Sequence, residues 1–185
     1  MATQYDSLNE TYINWIAKQH IFFTATATAD SRVNMSPREA SAFRVIGPNR
    51  VLYLDYTGSG SETAAHLKVD GRMTIMFCAF DTPPLILRLY GTARSLNWDD
   101  PAFETAFAEH FPNAQRIGTR QIVTLDIDLV QKSCGYGVPF FDFAGERDLL
   151  RTHMAGKGED GVRKYWREKN ALSIDGLPTG IVEPE

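Results

Sequence analysis

The segment Tyr56–Leu67 contains residue types that could hold an anion. Its sequence, YTGSGSETAAHL, places two glycines and two serines directly before a helical pattern. Glycine lets backbone N–H groups come close to a ligand, hydroxyls can donate hydrogen bonds, and a helix N-terminus favours negative charge. The segment therefore predicts a phosphate-binding turn in which Ser61 and Thr63 contribute donors.

An ordinary helix entry explains the same segment. Ser59 and Glu62 have the spacing of a capping box, in which the serine caps the helix and the glutamate bonds back to it. A carboxylate at position 62 would also repel a phosphate. The segment lacks the lysine of a Walker A loop and the third glycine of a dinucleotide-binding motif, because Thr63 stands there. Both interpretations are open at this point.

Two arginines are candidate partners for an anion. Arg38 follows Ser36 and Pro37 at the end of a short extended segment, where its guanidinium could grip a phosphate with two parallel hydrogen bonds. Arg88 lies on the polar face of another predicted strand, opposite a face of leucines. A solvated surface position is the alternative for both side chains.

The sequence contains no set of nucleophile, base and orienting residue. No histidine or cysteine spacing indicates a metal site, and the two cysteines form no disulfide framework. Redox chemistry would therefore have to come from a cofactor that the protein positions.

Six segments predict β-strands, because they alternate in polarity or are rich in β-branched and aromatic residues. Short turns and inserted helices between them favour an α+β, mainly antiparallel arrangement, and about six such strands suit a nearly closed barrel. The segments are IFFTATATA, the residues around 33–35, VLYLDY, RMTIMFCAF, LILRLYGTA and IVTLDIDLV.

Segments with the spacing of apolar residues typical of helices lie before, between and after these predicted strands. A capping box of Ser7 and Glu10 predicts an N-terminal helix over about 7–19. A second helix follows the Gly/Ser segment to about Val69, and a third lies in DDPAFETAFAEHF with Asp100 as its N-cap. Two further patterns lie at 145–155 and 159–171. We expect a single domain over 1–185, with a barrel over about 20–131 and a C-terminal helical extension over about 145–171.

Composition limits the possible partners. The chain has 185 residues, 43% hydrophobic and 23% charged, which is typical of one globular domain. A net charge of -4 argues against a general nucleic-acid binder, so an anionic ligand must be held by local geometry. The sequence near Met1 does not resemble a signal peptide, and no apolar run reaches the ~18 residues of a membrane span. These features predict a cytoplasmic protein without a membrane partner.

Several motifs together resemble the pyridoxamine 5′-phosphate oxidase superfamily of FMN-binding split barrels. YTGSGSET resembles its Tyr-Thr-x-x-Gly-Ser-x-x motif, and RVNMSPREA resembles the strand end that lies beside the flavin. HLKVDGRMTIMF and PPLILRLYGTAR resemble the helix and strands that follow, while SCGYGVP and EKNALSIDGLP resemble a poorly characterised branch. In the oxidases proper the motif ends in Arg-Lys, whereas Glu62 and Thr63 stand here. We therefore expect little pyridoxamine-phosphate oxidase activity.

The resemblance implies a six-stranded split β-barrel with peripheral helices. It also implies an FMN-dependent oxidoreductase acting on a small-molecule substrate, and a homodimer with the cofactor at the interface. A non-catalytic carrier of flavin, haem or deazaflavin on the same fold is the alternative, and an empty barrel is a third possibility. The residues implied to hold the FMN of this flavoprotein are Ser36, Pro37, Arg38, Tyr56, Thr57, Gly58, Ser59, Gly60, Ser61, Thr63 and Arg88.

Overall fold

The computed structural model describes residues 2–183, which form an antiparallel β-sheet and four α-helices. The strands are β1 (Thr3–Tyr5), β2 (Ile21–Thr26), β3 (Asn34–Glu39), β4 (Phe43–Gly47), β5 (Arg50–Tyr56), β6 (Arg72–Cys78), β7 (Ile86–Asn97) and β8 (Thr119–Ser133). The helices are α1 (Glu10–Ile16), α2 (Glu62–Val69), α3 (Phe103–His110) and α4 (Leu149–Lys169).

The sheet is a split barrel. Its strand order is β3-β2-β6-β7-β8-β5-β4, and β1 pairs with β8. The sheet curls until its two ends approach each other, and Arg38 on β3 comes within 2.5 Å of Asp55 on β5. Side chains therefore join the two ends, where a closed barrel would have a ladder of backbone hydrogen bonds.

The predicted mainly-β split barrel with peripheral helices is confirmed, but the strand count of six is wrong. The six predicted strands correspond to β2, β3, β5, β6, β7 and β8, and the described residues add β1 and β4. β1 has three residues and exists because its backbone pairs with the end of β8, for example Thr3 with Lys132. β4 has five residues and forms a hairpin with β5. Neither strand is long enough to show a clear alternation.

An aromatic cluster fills the inside of the barrel. The ring of Phe22 lies 5.0 to 5.7 Å from the rings of Phe43, Tyr53 and Phe77. All four side chains are buried, and each contributes about 1.5–3 kcal/mol by leaving water. This core holds β2, β5 and β6 in fixed positions, which is what the candidate site described below requires.

Two predicted helix starts are wrong. α1 begins at Glu10, and Asn9 caps it by accepting a hydrogen bond from the Tyr12 N–H at 3.0 Å. Ser7 is therefore not the cap, because it lies two residues too early. α3 begins at Phe103, and the carboxylate of Asp100 instead caps the preceding turn by accepting from the Ala102 N–H at 2.8 Å.

The C-terminal helix covers the start of α2. Gly158 lies inside α4 with φ of 66°, which breaks the helix into the two parts that the sequence patterns predicted. The residues before Leu149 are not helical, so the first part begins later than expected. Val162 and Trp166 in the second part pack with Ala64 of α2 and Ile181 in one buried cluster.

Candidate functional site

Two arginines, Arg120 buried and Arg38 partly buried, share one buried aspartate at the mouth of the barrel. Arg38 Nη1 lies 2.5 Å from Asp55 Oδ1, and Arg120 Nη2 lies 3.1 Å from Asp55 Oδ2. The side chains of Arg38, Asp55 and Arg120 are 17%, 5% and 4% exposed. Two guanidinium groups and one carboxylate leave a net charge of +1 in a site from which water is largely excluded. A buried excess charge of this kind favours an anion nearby.

Strand geometry explains how these side chains meet. Side chains alternate along β3, so Asn34, Ser36 and Arg38 face the barrel side, in register with the inward-facing residues of β2. Asp55 shares the inward face of β5 with Tyr53, whose ring lies 4.7 Å from the Arg38 guanidinium. Burial alone would lower the pKa of Arg38, but Tyr53 and Asp55 together raise it.

A β-bulge places Arg120. Asp55 pairs with Gln121 and Tyr56 pairs with Thr119, so Arg120 is the extra residue between them. A bulge turns its side chain away from the regular alternation, and here it carries the guanidinium inward. Arg120 Nη1 also donates to the carbonyls of Gly60 at 3.0 Å and Gly58 at 3.4 Å. The same arginine thus fixes the turn before α2.

The start of α2 does not form the predicted capping box. Ser61, not Ser59, is the N-cap residue, and no side chain caps the helix there. The Ser61 hydroxyl donates to the Leu172 carbonyl at 3.3 Å, and the Glu62 carboxylate accepts from the Ile174 N–H at 3.4 Å. The capping-box interpretation is therefore wrong, because Ser59 lies two residues before the cap position and the Glu62 carboxylate bonds to the C-terminal segment.

A small niche lies between β3 and the start of α2. Its volume is about 20 Å³, enough for one water or one oxygen atom of an anion. Thr63 Oγ1 accepts from Asn34 Nδ2 at 3.0 Å at its edge, so the Thr63 hydroxyl proton can point elsewhere. The lining residues are Asn34, Ser36, Arg38, Asp55, Gly60, Ser61, Glu62, Thr63, Ala64 and Arg120.

A larger groove of about 620 Å³ lies on the other side of Arg38, which borders both cavities. Aromatic side chains form part of its wall, and the Phe143 ring stacks on His20 at 3.7 Å. Glu39 also lines the groove. Burial raises the pKa of its carboxyl, although Arg151, with Nη1 at 2.8 Å, opposes this shift.

The structure brings together five of the eleven predicted site residues. Ser36, Arg38, Gly60, Ser61 and Thr63 all line the niche.

The remaining six lie elsewhere. Pro37 faces the groove on the opposite side of β3. Arg88 lies three strands away on β7, with its Nη1 3.4 Å from Ser133 Oγ, and it lines neither cavity. Thr57 is fully buried and donates its hydroxyl hydrogen to the Gly118 carbonyl at 2.7 Å.

Gly58 and Ser59 present their carbonyl oxygens to the Asn170 amide, at 3.1 and 3.5 Å, so these oxygens face the C-terminal segment.

Tyr56 is half-buried, and burial raises the pKa of its hydroxyl, with Glu39 adding to the shift. Neither Gly58 nor Gly60 has a positive φ, so a left-handed backbone conformation is not the reason for glycine at these positions.

Sequence reasoning missed Asn34, Asp55 and Arg120. Asp55 did carry a signal, because a carboxylate inside the apolar strand VLYLDY requires a buried partner. Arg120 carried none, because its inward direction depends on the bulge between two strands.

Comparisons with known proteins place the chain among relatives. Residues 8–134 match the family model described as pyridoxamine 5′-phosphate oxidase. The pyridoxamine 5′-phosphate oxidase family protein ustO of Aspergillus flavus is 34% identical over 192 aligned positions, covering 94% of this chain and 76% of that protein.

Solved structures of low sequence identity share the fold. HupZ of Group A Streptococcus superposes with a TM-score of 0.52 at 18% identity, covering 66% of this chain and 91% of that one. A Clostridium acetobutylicum protein, related to general stress protein 26 of B. subtilis and assigned to the pyridoxinephosphate oxidase family, has a TM-score of 0.50 at 14% identity. It covers 69% of this chain, and 91% of its own length is matched.

Across residues 2–183 the structure contains no helix long and apolar enough to span a membrane. The same residues contain no group of three or more histidine, cysteine, aspartate or glutamate side chains arranged to hold a metal ion.

Proposed function

Because this chain belongs to the pyridoxamine 5′-phosphate oxidase family, we propose that it is an FMN-dependent oxidoreductase acting on a small-molecule substrate. The observation that carries the proposal is the buried cluster of Arg38, Asp55 and Arg120, with its net charge of +1 beside the N-terminus of α2. The whole chain acts as one FMN-binding domain, and a cytoplasmic location stays a prediction from the sequence.

The chemistry of the niche suits a phosphate monoester. Arg38 supplies the charge that the Arg-Lys pair supplies in the oxidases proper. Thr63 supplies a hydroxyl proton, whereas the Ser61 hydroxyl donates to the Leu172 carbonyl and would have to leave it to reach the phosphate. The first turn of α2 supplies backbone N–H groups that no side chain caps. Glu62 also lines the niche, so its negative charge works against the anion, although the Ile174 N–H draws one of its carboxylate oxygens toward the C-terminal segment at 3.4 Å.

The groove suits the rest of the cofactor. Arg38 borders both cavities, so a ligand whose phosphate enters the niche can continue past β3 into the groove. When bound, FMN supplies hydride transfer at its ring. The chain's own residues bind the phosphate, orient the ring against β3 and exclude water from one side of it.

The active form is a homodimer with the cofactor at the interface. Supporting this, large apolar side chains are exposed at two places, Val33 and Met35 beside β3 and Phe140 and Phe141 beside the groove, each at least 65% exposed. A second copy would cover such surface, and a standard interface would bury about 800 Å² on each subunit. Light scattering that shows a monomer at micromolar concentration, with and without FMN, contradicts the dimer.

The test compares FMN with riboflavin, which lacks the phosphate. We expect Arg38→Ala to weaken FMN binding by roughly 10- to 100-fold, because one charge-assisted contact is lost, and to leave riboflavin binding nearly unchanged. Arg38→Lys keeps the charge, so its FMN affinity should lie between those of the parent and Arg38→Ala. Arg94→Ala is the control, because that arginine is exposed and pairs with Asp126 on the outer surface.

Flavin fluorescence quenching measures each affinity. If Arg38→Ala binds FMN like the parent while Arg88→Ala releases it, another cation holds the phosphate. If the parent binds neither flavin, the proposed cofactor is wrong. If FMN binds but neither NADH, NADPH nor pyridoxamine phosphate reduces it, the protein is better described as a flavin carrier.

A further inference from the structure

The C-terminal segment makes five hydrogen bonds to the loop and the first residue of α2. Trp166 Nε1 donates to Thr57 Oγ1 at 2.7 Å, and Asn170 Nδ2 donates to the carbonyls of Gly58 at 3.1 Å and Ser59 at 3.5 Å. The other two join the Ser61 hydroxyl to the Leu172 carbonyl and the Ile174 N–H to the Glu62 carboxylate. Together, Trp166, Asn170, Leu172 and Ile174 form what we call the C-terminal clamp.

The two clamp side chains that donate hydrogen bonds to the loop, Trp166 and Asn170, are both buried. Trp166 is 3% exposed and packs against Trp98 with ring centroids 5.3 Å apart, while Asn170 is fully buried. Asn170 Oδ1 has no hydrogen-bond partner among the described residues, although its amide nitrogen has two. Burying an unpaired acceptor costs free energy, whereas the two bonds from the amide nitrogen satisfy the carbonyls of Gly58 and Ser59 and hold this turn.

Two consequences for the niche follow from these contacts. The clamp and Arg120 together bind the carbonyls of Gly58, Ser59 and Gly60, and this fixes the conformation of the loop that leads into α2. The clamp also draws the Glu62 carboxylate toward residue 174. The Oε2 atom of Glu62 already lies 2.9 Å from where a Cβ on Gly60 would be, so a side chain there would disturb this arrangement.

We propose that the C-terminal clamp positions the anion-binding loop, and that its docking is energetically coupled to binding of the flavin phosphate. The inference rests on the proposed function for the identity of the ligand, but the positioning of the loop can be tested without it. The clamp lies beyond residues 8–134, the part that matches the family model, so it is an addition to the matched core. It compensates for the Glu62-Thr63 sequence by ordering neutral donors in advance.

Asn170→Ala is the test variant and Asn97→Ala is its matched control. Asn97 Nδ2 donates to the Gly180 carbonyl at 2.6 Å, so the control removes the same kind of bond between barrel and C-terminal segment, away from the loop. It also removes the bond that Asn97 Oδ1 accepts from Gln121 Nε2 at 2.6 Å, so it perturbs the barrel at least as much as the test variant does. Trp166→Phe removes only the indole N–H and keeps most of the packing. Hydrogen exchange of the amides at 58–63 is measured without ligand, and FMN and riboflavin affinities are measured by fluorescence quenching.

We expect faster exchange at 58–63 in Asn170→Ala and Trp166→Phe but not in Asn97→Ala. FMN affinity should fall about tenfold, which corresponds to ~1.4 kcal/mol, while riboflavin affinity stays nearly constant. In the parent, FMN should slow exchange at 166–174 more than riboflavin does, because coupling is reciprocal.

Unchanged exchange at 58–63 in Asn170→Ala overturns the positioning role, whatever the flavin result. Faster exchange with unchanged FMN affinity overturns the coupling. Equal losses of FMN and riboflavin affinity also overturn it, because they indicate a general loss of structure. If the parent binds no flavin, the proposed function and the coupling fail together, and the exchange data alone decide the positioning role.

Discussion

Replacing Asp55 by asparagine should destabilise the fold and strengthen anion binding at the same time. The substitution keeps the shape of the side chain and removes the one negative charge that Arg38 and Arg120 share. Both guanidinium groups stay buried, so the local charge rises from +1 to +2. Folding then has to bury unpaired charge, whereas a bound anion gains a stronger partner.

The magnitude follows from the burial of the cluster. Breaking a buried ion pair by removing one partner typically costs 3–5 kcal/mol, because the other charge is left uncompensated. With a urea m-value of about 2 kcal/mol/M, the unfolding midpoint should fall by roughly 2 M. Inorganic phosphate should recover part of this loss, because a ligand that binds only the folded state stabilises it by RT ln(1 + [L]/Kd).

Asp126→Asn is a matched control. Asp126 also contacts two arginines, Arg50 at 2.5 Å and Arg94, but its side chain is 37% exposed and the arginines are more so. Those contacts lower the pKa of Asp126, and solvent screens their contribution to stability. We expect this variant to lose at most about 1 kcal/mol.

The assay is urea unfolding, followed by tryptophan fluorescence, in chloride and in phosphate at equal ionic strength. Equal stability losses in the two variants would refute the view that burial makes the Asp55 cluster special. A loss in Asp55→Asn that phosphate recovers no better than in the parent would refute the claim that the niche is an anion site.

Three further predictions concern the barrel and its titratable groups. Gly91→Ala should destabilise the protein by about 1–3 kcal/mol in thermal unfolding, because its Cβ would lie 1.9 Å from the Asp126 carbonyl oxygen. Gly137→Ala is the control and should change the stability little, because no atom lies within 4 Å of its Cβ position. Burial raises the pKa of Tyr53 to about 12. The stability that the neutral hydroxyl contributes is therefore complete below pH ~10 and is lost as the pH rises through ~12. Urea unfolding below and above pH ~10 should show a smaller loss of stability with rising pH in Tyr53→Phe than in the parent. A thiol reagent should modify exposed Cys134 quickly and buried Cys78 slowly, since burial raises the pKa of the Cys78 thiol, and Cys134→Ser should abolish the fast phase.

Periodicity predicted most of the sheet, because an alternation of polar and apolar residues is a local property. The six longer strands overlap the segments that the pattern indicated, although β3 continues to Glu39 and β8 extends over Thr119–Ser133, and the helix that ends at Val69 was also predicted. The strands missed are β1 and β4, which are short and depend on a partner strand for their existence. Cap positions were also wrong at α1, α2 and α3, since several polar residues near each start could serve and packing chooses among them.

The candidate site was predicted in part. The Gly/Ser loop was recognised because its residue types are clustered in the sequence, and its last two residues, Gly60 and Ser61, line the same niche as Arg38. Arg88 was included because an arginine lies on the polar face of its strand, and the position of β7, three strands from β3, keeps it out of the niche.

The sequence by itself determined the local elements, the family motifs and the presence of a charged residue inside an apolar strand. Only the tertiary structure decided what that charge meets. Asp55, Arg38 and Arg120 are far apart in the chain and come together because the sheet curls, and Arg120 turns inward because of a bulge between β5 and β8. The same holds for the C-terminal clamp, more than 100 residues from the loop it contacts. Contacts of this kind depend on long-range backbone pairing and on the exclusion of water, and neither is encoded in the spacing of neighbouring residues.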